Sequence, residues 1–425
     1  MARPSLRNAR SSPVLSRLAL WGPGLLVMLA DCDAGNVVTA AQAGAQAGLR
    51  LLPVLLALVP LLYMVQELTV RLGIFTGRGF GELVRARFGS LCAGLAAAGL
   101  IVAVLGSLVT EFTGVAGVGE MFGVSRAISL PLAVAVLFGI VLTGSHRRVD
   151  RIVIAIGIFD LAFFAVAWSA RSQFHTMIGQ MTHLPIGDRE FGYLAAALIG
   201  ATFNPWMVFY QQAAVADTLS ANNLASARIE TAVGAVLTQL LTGAVLVAAA
   251  ATLSAHGLPR SLGSIGEIGN ALVAELGPFA GRLLFGAGVL AAALVAAIVS
   301  SLALAWGLGE VFGYAASLEA RPARAPWFYA AYALSVAGSA GFVWLSPDLV
   351  SLNVAAQVVN ALMLPFVVVM LVALSVTVLP KPQRPRGLYL WLVIVVGAIV
   401  CAAGVWGAIQ GWRPVQIEGL SLSQR

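Results

Sequence analysis

The sequence predicts an all-α polytopic membrane protein: ten core spans arranged as two inverted repeats of five, with an eleventh helix appended. Three observations predict it. Of 425 residues, 60% are hydrophobic and 10% charged, with mean hydropathy +0.92, a composition that soluble domains do not reach. Apolar windows of about 20 residues, the length that crosses a bilayer, recur eleven times along the chain. The first and sixth windows, five apart, are both interrupted, and interrupted helices at matching positions of two halves mark an inverted-repeat transporter with its site at the midplane.

The windows fall at residues 20–47, 51–73, 91–119, 127–143, 151–170, 192–217, 230–254, 279–315, 326–346, 349–379 and 387–410. Several exceed the bilayer thickness and are expected to tilt or protrude. Span one carries Asp33-Ala34-Gly35-Asn36 inside an otherwise almost uncharged segment. An ionised carboxylate in hydrocarbon needs compensation, so an intramembrane Asp is read as a functional site. Gly35 favours a break in the helix, which frees backbone carbonyls, and such a break is tolerated only where protein or a wet cavity surrounds it. One carboxylate, one amide and free carbonyls make an oxygen-rich cation site. Span six carries Gly200-Ala201-Thr202-Phe203-Asn204-Pro205-Trp206. Pro205 lacks an N–H and interrupts the ladder there. Taken singly, a proline kink or an intramembrane Asn is ordinary structure; the pairing with Asp33 points to a site. Five spans per repeat is odd, so the second half is inverted. The first repeat covers 20–170, the second 192–379 and span eleven 387–410. Residues 1–19 and 411–425 are tails, and no soluble domain is expected.

With residues 1–19 cytoplasmic, 17 of the 25 Lys and Arg fall on the cytoplasmic side, as the positive-inside rule requires; the C-terminus then lies opposite. This distribution explains the pI of about 9.8 without nucleic acid. Arg3, Arg7, Arg10 and Arg17 before Leu18–Ala30 imitate a signal peptide, and Leu29-Ala30-Asp31-Cys32 a lipidation box. Asp31 occupies the place of a small residue, however, and the apolar pattern resumes past Gly35, so the segment reads as a retained span. Cys32, Cys92 and Cys401 form no CxxC pair and read as small apolar fillers. All four histidines (His146, His175, His183, His256) are expected in loops, and Trp327 and Trp344 as anchors at span ends. Glu67 is expected to pair with Arg71, one helical turn on.

Gly22-Pro23-Gly24, Asp33-x-Gly-Asn36, Gln42-Ala43-Gly44-Ala45-Gln46, Gln66-Glu67-Leu68 with Arg71-Leu72-Gly73, Thr76-Gly77, Gly200-Ala201-Thr202 before Pro205, and Leu364-Pro365-Phe366 together resemble the Nramp divalent-metal transporters. The resemblance covers nearly the whole chain, and the span-one block is its specific part. It implies a leucine-transporter-type fold with discontinuous spans one and six and a metal site where they meet. The departures are as informative. Where the family reads Asp-Pro-Gly-Asn, this chain has Ala34 for Pro. Where it reads Ala-x-x-Met-Pro-His, the Met position is Asn204 and the His position Trp206. A second family His aligns with Gln211, the span-three Asp-x-x-Glu becomes Leu108-x-x-Glu111, and the span-ten Gln becomes Asn360.

A thioether selects softer metals, whereas an amide oxygen is hard, and Mg2+ is bound through one or two carboxylates with waters retained. The resemblance therefore narrows to the Nramp-related magnesium transporters. It implies a metal set of Asp33, Asn36, the Ala201 carbonyl, Asn204 and Asn360, with Trp206 and Gln211 lining the cavity. The cargo it implies is Mg2+ and Mn2+; no cofactor, protein partner or nucleic acid is implied, and the lipid bilayer is the expected medium. The aligned histidines and the span-three Asp are gone, so proton coupling is expected to be weak or absent. Glu111 is either a proton relay or a paired carboxyl. Two alternatives keep the fold: an ordinary proton-coupled Mn2+/Fe2+ transporter, and a cation-coupled symporter for an organic solute. An intramembrane hydrolase lacks support, since neither His-Glu-x-x-His nor Gly-x-Ser-x-Gly occurs; the chain is not expected to be an enzyme.

Overall fold

In the computed structural model, residues 27–28, 30–157, 159, 164, 178–182, 184–253, 262–272, 278–315 and 317–412 are described. The two tails up to residue 26 and from 413, most of predicted span five beyond Gly157, and His175, His183 and His256 lie outside the described residues. All regular structure among the described residues is helical. Among the described residues eight helical stretches are long and apolar enough to cross a membrane, and Arg126–Val141 is a shorter apolar helix.

Span one is two helices. Val27, Met28, Ala30 and Asp31 are helical, the chain leaves the helix at Cys32 and Asp33, and α1 (Ala34–Ala47) follows. Asp33 is the N-cap of α1: its backbone is extended, and its side chain accepts from the Asn36 N–H, satisfying one of the orphan donors of a helix start. The break therefore precedes Gly35, which is helical. Gly35 instead makes room for neighbouring side chains: a Cβ there would stand 2.1 Å from Gln357 Nε2 and 2.8 Å from Thr110 Oγ1.

α2 (Leu52–Thr76) is followed by α3 (Phe80–Met121). α3 starts eleven residues before the predicted span at 91, and Gly89, at φ 84°, bends it in the left-handed region that glycine tolerates. The extra turns carry Glu82, Arg85 and Arg87, and that charge removes them from a hydropathy window. α4 (Arg126–Val141) and α5 (His146–Gly157) come next, so His146 begins a helix rather than lying in a loop.

Span six repeats the design of span one. α6 (Arg189–Thr202) ends, Phe203 and Asn204 are non-helical, and Pro205 opens α7 (Pro205–Thr218). Proline fits the first helical position because its absent N–H would have had no partner. Then follow α8 (Leu224–Leu253), α9 (Ile265–Leu272), α10 (Pro278–Phe312), α11 (Pro326–Leu345), α12 (Leu349–Thr377) and α13 (Gly387–Trp412). α1 packs against α3, α6, α8 and α12, so the first break is surrounded by protein. Trp327 and Trp344 are 69% and 49% exposed at the two ends of α11, where interfacial aromatics belong.

On the side where Arg71 and Arg228 lie, Glu67 is the hub of a buried network. Arg71 Nη2 donates to both Glu67 oxygens, Arg228 Nε donates to Oε1 at 2.8 Å, and Tyr389 Oη donates to Oε2 at 2.8 Å. The Arg71 guanidinium also stacks over the Tyr389 ring, 5.5 Å from its centroid. The expected Glu67–Arg71 pair is present, and three helices meet at it: α2, α8 and α13.

Candidate functional site

Both breaks bring unpaired backbone and short polar side chains to one buried place. Asn36 Nδ2 donates to the Asp31 carbonyl and, at 3.0 Å, to the Ala201 carbonyl, tying the end of the first half-helix to the end of α6. Asn204 Nδ2 donates to the same Ala201 carbonyl at 3.1 Å. Asn204 Oδ1 in turn accepts from Asn360 Nδ2 at 2.7 Å, and that nitrogen also donates to Gln357 Oε1 at 3.0 Å. The structure thus gathers all five residues proposed from sequence as metal ligands: Asp33, Asn36, Ala201, Asn204 and Asn360. All are buried.

Their oxygens divide into two groups. The Ala201 carbonyl accepts two amide donors and Asn204 Oδ1 accepts one, so these two hold the breaks together. Asp33 Oδ2, Asn36 Oδ1 and Asn360 Oδ1 have no hydrogen-bond partner. Buried polar atoms are nearly always paired, so these unpaired acceptors, two at the first break and one on the neighbouring α12, leave oxygens that a cation could engage. Among the described residues no three His, Cys, Asp or Glu side chains form a metal cluster. The arrangement is instead one of carboxylate and amide oxygens, suited to a hard cation.

Glu111, on α3, reaches the first break. Its Oε2 accepts from Ala34 N at 3.1 Å, its Oε1 accepts from Thr110 Oγ1 at 3.1 Å, and its carboxyl lies against that of Asp33. Leu108, one turn earlier, is wholly buried. Trp206 and Gln211 are wholly buried on α7, and neither the Trp206 indole N–H nor the Gln211 amide has a hydrogen-bond partner. A cavity of about 590 Å³ lies elsewhere, among apolar residues of α3, α11 and α12 such as Leu105, Leu334 and Leu352, and neither Trp206 nor Gln211 lines it.

Two site elements go beyond the five residues. α12 presents Asn353, Gln357 and Asn360 along one buried face, the i, i+4, i+7 spacing of a helix stripe. Asn353 donates to Thr113 Oγ1 at 3.2 Å and accepts from Thr39 Oγ1 at 3.4 Å, so the stripe bonds to α3, α1 and the span-six break. The helix period of the sequence carried this signal. The second is Asp31, wholly buried, whose two carboxylate oxygens have no hydrogen-bond partner. The desolvation argument that singles out Asp33 applies equally to it.

Comparison with known proteins bears on the family and the fold. The model of the Nramp family, natural resistance-associated macrophage protein-like, matches residues 24–410. A divalent metal cation transporter, MntH 1, of Pseudomonas aeruginosa is 30% identical over 281 residues, a match that spans 59% of this chain and 60% of that relative's own length. Among solved structures, the manganese transporter of Eremococcus coleocola superposes with a TM-score of 0.70 at 17% identity, covering 94% of this chain and 88% of that one. MhsT in complex with L-phenylalanine superposes with a TM-score of 0.64 at 12% identity, covering 96% and 100%.

Proposed function

We propose that this chain, which belongs to the Nramp family, carries divalent metal cations across the membrane by alternating access, with Mg2+ and Mn2+ favoured and with weak or no proton coupling. The fold is the leucine-transporter type, all-helical with interrupted spans one and six. The observation that carries the reading is the meeting of the two breaks at Asp33, Asn36, Ala201, Asn204 and Asn360, five residues without a sulfur atom. Oxygen-only coordination favours hard cations and leaves room for retained waters. In this reading the first repeat (20–170) and the second (192–379) rock about the site, the N-terminus is cytoplasmic and the C-terminus lies opposite. The metal is the cargo, and the transporter has no enzymatic step.

Uptake of Mg2+, Mn2+ and Cd2+ into proteoliposomes tests this. Mg2+ and Mn2+ are expected to enter and to compete with each other, while Cd2+ enters poorly. Uptake of Mn2+ and Cd2+ with Mg2+ excluded supports instead the ordinary metal-selective transporter. Cation-driven uptake of an amino acid, without metal flux, supports the symporter alternative.

A further inference from the structure

The span-one break carries a carboxylate on each side. Asp33 caps α1, and Asp31 ends the half-helix before it, with Cys32 alone between them. Asp31 is wholly buried. Its backbone carbonyl accepts from Asn36 Nδ2, yet neither of its side-chain oxygens has a hydrogen-bond partner. Its carboxyl faces Asn204 and Asp33, the residues of the proposed ion site.

We propose that Asp31 is a second anionic ligand of the transported divalent cation, an inference that rests on the metal-transport reading of this site. A buried carboxylate without donors is strongly unfavourable. A protonated carboxyl could give its O–H only to the groups it faces, Asp33 and Asn204, and Asn204 Oδ1 already accepts from Asn360. A cation between Asp31 and Asp33 supplies a partner for the Asp31 carboxylate and for Asp33 Oδ2. The charge also balances. As a direct ligand Asp33 alone supplies one negative charge to a dication, and the membrane interior penalises the remainder; the oxygens of the neighbouring Glu111 already accept from Ala34 N and Thr110 Oγ1. Asp31 and Asp33 together neutralise the dication. Two carboxylates and several neutral oxygens match the way Mg2+ is held, with part of its water shell kept. Asp31 thereby sets valence: a monovalent ion in the same place leaves one carboxylate uncompensated, so the pair discriminates against Na+ and K+.

Isothermal titration of the purified full-length protein with Mg2+ and with Mn2+ tests the assignment, comparing wild type, Asp31→Asn and Asp33→Asn. Asp31→Asn keeps the side-chain volume and the backbone bond to Asn36. It is expected to lose at least ten-fold in affinity for both ions while its unfolding temperature holds or rises, because a buried charge has been removed. Wild-type protein that binds, together with an Asp31→Asn variant of unchanged affinity, overturns the role of Asp31 and leaves metal transport standing. Wild-type protein that binds neither ion overturns both. If Asp31→Asn does not fold, Mn2+ anomalous scattering from wild-type crystals decides. A peak in contact with the Asp31 carboxylate, or one water from it, upholds the proposal. A peak on Asp33 and Asn36 beyond the reach of Asp31 contradicts it.

Discussion

Asn204 differs from the family's methionine by the exchange of a soft sulfur for a hard oxygen. In the structure Asn204 is also a strut: it donates to the Ala201 carbonyl and accepts from Asn360. Asn204→Met therefore removes two hydrogen bonds as well as an oxygen, leaving Asn360 Nδ2 with Gln357 alone. The expected outcome is a shift of preference toward Cd2+ and Mn2+ with Mg2+ uptake reduced more than ten-fold, and a loss of stability of about 1–3 kcal/mol from the Asn360 N–H left unpaired. Metal competition assays check the first, thermal unfolding the second. Asp33→Ala is expected to abolish flux of both ions with the fold retained. Its cap to Asn36 N is worth about 1 kcal/mol, a small part of the stability of a helix bundle. At this scale the sequence was legible where one residue type has one reason to be present, as with Asp33 in hydrocarbon. It was misleading where a residue has several. Gly35 reads as a breaker, yet it is helical and leaves room for the Gln357 side chain, which a Cβ would approach to 2.1 Å. Asp31 reads as a mismatch in a lipidation box, and that reading obscured the same desolvation cost that identifies Asp33.

At the scale of elements, the two interrupted spans depend on how closely α12 approaches. A Cβ on Gly200 would stand 1.7 Å from the Gln357 carbonyl oxygen, so α6 and α12 touch backbone to backbone. Neither backbone can step aside as a flexible side chain would. Gly200→Ala is expected to cost about 3 kcal/mol or more and to move Asn360 away from Asn204, lowering both the unfolding temperature and transport. Unchanged unfolding and uptake in that variant would show that the helices separate freely. The position of the breaks was legible: Pro205 fixes the start of α7, and Asp33 is an N-cap residue in the right place. The stripe of Asn353, Gln357 and Asn360 was legible in principle from its helical spacing, but comparison with the family motif draws attention to Asn360 alone. The first turns of α3 were not legible, because Arg85 and Arg87 are incompatible with a hydropathy window even though the helix continues through them.

At the scale of the molecule, Glu67 ties α2, α8 and the appended α13 together, so helices of both proposed repeats and the eleventh span share one ionic hub. Glu67→Ala leaves Arg71 buried without its bidentate partner, and loss of one partner of a buried pair costs about 3–5 kcal/mol. The variant is expected to unfold at lower temperature while its metal affinity, measured where it is folded, stays near wild type, since Glu67 belongs to a network separate from the ion site. A selective loss of metal affinity with stability unchanged would place Glu67 in the transport path instead.

In the proposed mechanism a hard divalent cation crosses through the meeting point of two broken helices without proton exchange. Leu108, Trp206 and Gln211 do not titrate near neutral pH, which leaves Glu111, packed against Asp33, as the described carboxyl at the break beside the two proposed ligands Asp31 and Asp33. The most direct test is Mg2+ and Mn2+ uptake into proteoliposomes with internal pH recorded in parallel, for wild type and Glu111→Gln. Metal entry in wild type with no change of internal pH is the predicted result. Robust metal-dependent acidification that disappears in Glu111→Gln would contradict it and assign this chain to the proton-coupled mechanism.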